Sequence, residues 1–353
     1  MMETFADLAE RTHLLWLQRL ALTSSDYITL SQLKQHDQRL LQSVSLSQRY
    51  LDGSEPELPL WLNALLDNSA AELQTLLTLP LPLSAQALLA ELWLALHQKT
   101  AAHYVQQYQR PEQSQLLCLL VNKALATNLF QPMQVLDLRS AVQLAGQYGL
   151  TERCALLQQL TAELQHNAIL QAELSYSLYL LGQRTDEFDL VLQLQQTECL
   201  TPRQLQLLLL AAPAEQKVRI VNALCLTDIC LAINAMGFSG QRKFLPLLLE
   251  LSSQSEHQAA AQSALITMFG SLTADAVQRE PQMREPQMVS GSQLSSNQHL
   301  VGGMVSDALD LQGLWASGNQ YQRFAAAALL VLQQPGFALA EPNNWLGGSW
   351  PVR

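Results

Sequence analysis

The chain has 353 residues, 48% of them hydrophobic and 14% charged, which is enough apolar material for a large core and too little charge for a disordered chain. The formal net charge is −10, and no Lys/Arg cluster reverses it locally. A phosphate backbone is therefore repelled, and nucleic acid is not an expected partner.

Aromatic residues make up only 6% of the chain, while Leu, Ala and Gln dominate. These residues lose little rotamer freedom in helices, so the chain is expected to be all-α. A first helix is expected over residues 3–22, with Phe5, Leu8, Leu15 and Trp16 as its apolar markers. The polar run Thr23-Ser24-Ser25-Asp26 ends it. Thr29 and Gln32 have capping-box spacing, and Leu30, Leu33, Leu40, Leu41 and Val44 follow at helical intervals toward Gly53 and Pro56. Residues 1–54 thus read as an N-terminal helical hairpin.

From 55 to 270 short helices alternate with short breaks. Ser84 is a candidate cap for a helix reaching His97, and Pro111, Pro132 and Gly149 mark boundaries. Thr201-Pro202-Arg203-Gln204 joins an N-cap, a proline at the first helical position and a capping-box glutamine. An internal repeat also appears. Residues 141–160 align without gaps on 232–251, placing Ala141 on Ala232, Gly146 on Gly237, Gly149 on Gly240 and Leu156, Leu157, Leu160 on Leu247, Leu248, Leu251. His166, Ala168 and Gln171 continue the register onto His257, Ala259 and Gln262. The offset is two units of about 45 residues, the length of HEAT units. The glycines are expected where a helix ends and the chain turns. The fold class expected is therefore a HEAT-like α-solenoid of antiparallel helix pairs.

Residues 271–303 are rich in Gln, Ser, Pro and Met, and Arg-Glu-Pro-Gln-Met occurs twice in tandem from Arg279. This composition predicts a flexible linker. Residues 304–353 are expected to supply a C-terminal helix, about Asn319 to Gln334, closed by Pro335-Gly336. The tail that follows carries Trp345 and Trp350, which either pack back on the last helix or anchor a partner.

Catalytic chemistry has no signature here. The chain contains no P-loop, GxGxxG, GxSxG, HExxH or EF-hand pattern. His97 and His103 are six residues apart and fall on different helix faces. The five cysteines, Cys118, Cys154, Cys199, Cys225 and Cys230, are scattered without a CxxC pair, and are expected to be buried thiols in a reducing compartment. No catalytic, cofactor-binding or metal-ligating residue is expected. The N-terminus shows no signal-peptide pattern. The most apolar stretch, Leu76 to Leu96, is interrupted by Pro80, Pro82, Gln86 and Glu91. A cytoplasmic protein without a membrane span is expected.

Three blocks together resemble the HEAT-repeat proteins associated with bacterial type VI secretion loci. The first runs His13-Leu-Leu-Trp-Leu-Gln-Arg19, followed by Tyr27, Leu30, Leu33, Asp37 and Arg39. The second is the unit from Ala232 to Gly270, and the third is Gln320-Tyr-Gln-Arg-Phe-Ala-Ala-Ala-Ala328 through Pro335-Gly336. About a third of the chain takes part. The family's acidic, Pro-rich segment is replaced here by the Gln/Ser/Met linker, and residues 55–135 match only in character. The resemblance implies a non-enzymatic adaptor or chaperone for a secretion effector, a PAAR-like tip or a spike protein. An immunity or regulatory protein that binds a cognate toxin is the alternative. A HEAT-like DNA glycosylase would need a basic groove, which the charge opposes.

Overall fold

Helix-forming composition and strong local caps make the chain helical over most of its described residues. The computed structural model describes residues 5–23, 28–49, 58–67, 69, 72, 75–76, 79–81, 83–97, 138–164, 166–270, 299–302, 304–305 and 309–342. Among these the chain forms fifteen α-helices and one two-stranded antiparallel ribbon.

The N-terminal hairpin pairs α1 (Phe5–Thr23) with α2 (Leu30–Arg49). The start of α2 is fixed by the expected capping box. The Gln32 amide donates to Thr29 Oγ1 at 3.3 Å, and the Thr29 amide donates to Gln32 Oε1 at 2.9 Å. Trp16, Leu40 and Val44 meet α3 (Leu60–Leu66) and α4 (Leu83–Leu96) in one apolar cluster with Trp61, Leu65, Leu89 and Trp93. Helix α4 begins at Leu83, so Ser84 lies within its first turn and not ahead of it.

Nine helices then follow: α5 (Leu138–Gln147), α6 (Cys154–Glu163), α7 (Ala168–Leu180), α8 (Glu187–Gln196), α9 (Pro202–Ala211), α10 (Ala214–Cys225), α11 (Ile229–Ser239), α12 (Leu245–Ser252) and α13 (Gln258–Phe269). The repeat read in the sequence recurs element by element. Helix α5, the 3₁₀ turn Thr151–Arg153, α6 and α7 correspond to α11, the 3₁₀ turn Arg242–Phe244, α12 and α13 at the same offset, to within two residues. Odd-numbered helices touch one another, α5 with α7, α9 with α11, and α11 with α13, while α8 touches α10 in a second row. The full box at Thr201 starts α9. Gly149 and Gly240 turn the chain at φ of 65° and 62°, a region that strains any residue with a Cβ. Gly146 and Gly237 have a different role. A Cβ there would lie 2.7 Å from Ser177 Cα and 2.6 Å from Ala264 Cα, so these glycines let α5 meet α7, and α11 meet α13, at backbone distance.

Successive turns are laced along a first edge of this array. Gln216 Nε2 donates to Asp186 Oδ2, and Gln241 Nε2 donates to the Ala214 carbonyl. The opposite, second edge carries the turns at 164–168, 197–201, 226–228 and 253–257, where Gln195 Nε2 reaches Thr227 Oγ1.

The last part of the chain returns over this array. The ribbon pairs β1 (Leu300–Val301) with β2 (Met304–Val305), and β1 rests on α13. Most of the linker expected over 271–303 lies outside the described residues, but its final residues depart from that reading. His299, Leu300 and Val301 are buried at 8%, 3% and 4% exposure, because Leu300 and Val301 join the main apolar cluster. Helix α14 (Leu311–Ser317) packs on α2, and α15 (Gln320–Gln333) packs on α9. Helices α14 and α15 are thereby tied to elements far away in sequence, beyond the nearest-neighbour contacts of a simple helical array.

Candidate interaction surfaces

The face formed by the odd-numbered helices is covered by α15. An Asn319–Gln322 capping box starts this helix, and Ala325, Ala326, Ala327 and Ala328 are all fully buried. Side chains of the array hold it at several points. Gln206 Nε2 donates to the Tyr321 carbonyl at 3.1 Å, and Arg184 donates to the Leu332 carbonyl. The Arg203 guanidinium lies 4.6 Å from the centre of the Phe324 ring and 3.6 Å from a Glu341 oxygen. Ser263 Oγ and the Phe238 ring reach Tyr321 at the other end of the array.

The first edge is closed in the same way at two repeat-equivalent places. The Leu300 amide donates to the Gly240 carbonyl at 3.0 Å, and the Leu339 amide donates to the Gln147 carbonyl at 2.7 Å. A Cβ on Gly240 would meet Leu300 N at 2.6 Å, and one on Gly149 would meet the Phe337 oxygen at 2.6 Å. Beside Gly240, Lys217 Nζ sits against His299 Nδ1, with both side chains buried. Burial, and then the neighbouring Lys217 charge, lower the His299 pKa to about 3.

Charge is buried where the N-terminal hairpin meets the pair formed by α14 and α15. Arg19 Nε donates to Asp37 Oδ1, and neither side chain is exposed. Asp37 occupies the apolar stripe of α2, between Leu33 and Leu40. Arg323, also fully buried, donates to the Pro342 carbonyl at 3.1 Å and lies 5.0 Å from the Trp315 ring centre. Burial pulls its pKa down to about 10; Glu341 opposes that shift, while Arg203 and Arg19 add to it. His36 is lowered by burial, then by Arg19 and Arg39. Above this seam an open groove of about 500 Å³ is lined by Leu30, Ser31, Lys34, Gln35, Gln38 and Ala316. These groups can order the two hairpins against each other; the guanidinium and carboxylate pair is committed to its own ion pair.

Trp345, Trp350, His103 and Cys118 lie outside the described residues. His97 is buried, with Nε2 3.1 Å from the Leu65 carbonyl and its ring against Trp93. His166 and His257 both stand at inter-helix turns, as their shared register implied. The expectation of buried cysteines needs correction. Cys199 is buried and Cys154 partly so, but Cys225 and Cys230 are exposed, because they flank the tip of the α10–α11 turn. Among the described residues no group of three or more His, Cys, Asp or Glu is placed to hold a metal, and no helix is long and apolar enough to cross a membrane. The sequence reading missed the Arg19–Asp37 pair, although an aspartate inside an apolar stripe was its signal.

Comparison with known proteins finds no matching family model, no matching curated protein and no matching solved structure.

Proposed function

We propose that the chain is a HEAT-like α-solenoid that serves as a non-enzymatic adaptor or chaperone, presenting a secretion effector, a PAAR-like tip or a spike component in type VI secretion. The observation that carries the solenoid is the recurrence of helix, 3₁₀ turn, helix and helix between 138–180 and 229–269, with a left-handed glycine at the same place in each unit. The secretion setting rests on the three-block resemblance. Its first block, on α1 and α2, packs against α14, the helix that immediately precedes the third block. The adaptor role follows from a scaffold whose recognisable features are helix pairs and surfaces.

The test is genetic and biochemical together. Deleting the gene should abolish delivery of one effector while leaving that toxin active in vitro, and the tagged protein should co-purify both effector and tip component. The acidic charge favours a second reading, an immunity protein drawn to a basic toxin. A deletion strain that secretes every effector normally, yet is killed by its siblings, would select that reading and reject the adaptor.

A further inference from the structure

Among the described residues, the chain's returning segments meet the second edge at Arg203, through Phe324 and Glu341, and leave its α10–α11 turn uncovered. Its most exposed point is the α10–α11 turn, where six consecutive residues, Cys225 to Cys230, are all exposed. Leu226 is 88% exposed and Ile229 is 41%, and Ile169 projects at 45% from the start of α7 on the same edge. Isolated exposed leucines are ordinary, but this run of apolar and thiol side chains at one tip has no covering element among the described residues.

The charge around the patch is one-sided. Each of the four turns on this edge has an exposed carboxylate in it or beside it: Glu163 just ahead of the first, then Glu198, Asp228, which also caps α11, and Glu256. Among the described residues the edge's two arginines are already engaged, Arg139 by Glu173 and Arg203 by Glu341. Glu198 is also the one non-glycine residue with positive φ among the described residues, at 56°. The Gln195–Thr227 hydrogen bond ties its turn directly to the Leu226 turn.

We propose that this edge, centred on Leu226 and Ile229, is a docking surface for a basic segment of a partner protein, in which an apolar anchor is flanked by lysine or arginine. The apolar tip supplies the contact, and the row of carboxylates selects the sign of the partner. A second copy of this chain fits poorly. An isologous contact would set the same carboxylates against each other, and the whole chain carries −10. Nucleic acid is excluded by the same sign. The inference rests on the reading of the chain as an interaction protein, but not on the secretion setting.

The experiment is selection of a random-sequence peptide library on the immobilised full-length protein, with counter-selection on Leu226→Asp/Ile229→Asp. Both substitutions fall on exposed positions, and far-UV circular dichroism and thermal melts of the variant verify its fold. Enriched peptides should carry an apolar residue among lysines or arginines. Their affinity should fall about 30-fold on the double variant, the equivalent of the roughly 2 kcal/mol of an anchor. Glu198→Lys/Glu256→Lys should weaken them too, and should flatten their salt dependence. Bound peptide should also slow iodoacetamide labelling of Cys225 and Cys230. Acidic or neutral peptides, or absence of enrichment, would overturn the proposal. Basic peptides that bind the double variant undiminished would reject this edge while leaving an interaction role elsewhere intact. Sedimentation showing a wild-type dimer that Leu226→Asp dissociates would replace the proposed partner with a second copy.

Discussion

Acid should loosen the fold through one imidazole. His299 closes the first edge beside Gly240, accepting from Lys217 Nζ, and its folded pKa is about 3 against an ordinary 6.5. The folded state therefore refuses a proton that the unfolded chain accepts. Above pH 6.5 the group is neutral in both states and costs nothing. As pH falls below 6.5 the unfolded chain gains the proton, so stability is lost progressively until the folded pKa is reached. These values give a loss of about 2 kcal/mol by pH 5 and roughly 4 kcal/mol by pH 3. Protonation in place would set an imidazolium against the Lys217 ammonium. Carboxylates elsewhere also titrate in this range, so the effect is read as a difference. His299→Gln keeps a carbonyl acceptor for Lys217 and does not titrate. In urea melts followed by circular dichroism, the wild type should lose about 2 kcal/mol more than His299→Gln between pH 7 and pH 5. Parallel pH profiles for the two proteins would refute the assignment of a buried neutral imidazole.

Gly237→Ala should cost about 1–3 kcal/mol in urea melts, because its Cβ would lie 2.6 Å from Ala264 Cα and must push two helix backbones apart; unchanged stability would mean the helices are not in contact there. Glu198→Gly should stabilise by about 1 kcal/mol, since φ of 56° strains a side chain, and a loss would show that the carboxylate makes a compensating contact. Asp37→Ala should cost about 3–5 kcal/mol by leaving the Arg19 charge buried, whereas Arg19→Met/Asp37→Leu should cost far less; equal costs would deny that the pair is desolvated. Gly302 donates its amide to the Thr267 carbonyl, and its own carbonyl approaches Gly270, so the excursion 271–298 leaves and rejoins the fold in one place. Replacing it with six residues should raise stability by about 1.4 kcal/mol through a shorter closed loop, and a loss of folding would assign that segment a structural role.

Local signals were legible in the sequence because they depend on residues three or four apart. The boxes at Thr29 and Thr201 stand as expected, and so do the left-handed turns at Gly149 and Gly240. Misreadings came where a residue's role depends on a distant partner. In sequence Gly146 and Gly237 look like turn glycines, but their need for no Cβ comes from α7 and α13. The cysteines at 225 and 230 are of a residue type common in cores, and they are exposed because no element among the described residues covers the α10–α11 tip. The end of the linker looked unstructured by composition, yet Leu300 and Val301 find an apolar site that α13 and the Gly240 turn create. Nothing in the α15 sequence says which helix it will cover. Its bond from Gln206 to Tyr321 joins residues more than a hundred positions apart.

Where a partner can bind follows from what the chain already covers. The face of one helical row is the broad surface that a helical array would offer, but here α15 lies on it, with its alanine run, Phe324 and Arg323 all buried. A partner that displaced α15 would expose this apolar surface and set free the bonds from Gln206 and Arg184. Only differential affinity can shift such an equilibrium, and moving a state from rare to dominant takes about 5.5 kcal/mol. The first edge is also occupied, by backbone bonds that the glycines at 149 and 240 admit at close range. Binding at the second edge displaces none of these segments. Its apolar tip and carboxylates are exposed in the folded chain, so a basic partner can be recognised there without opening the fold.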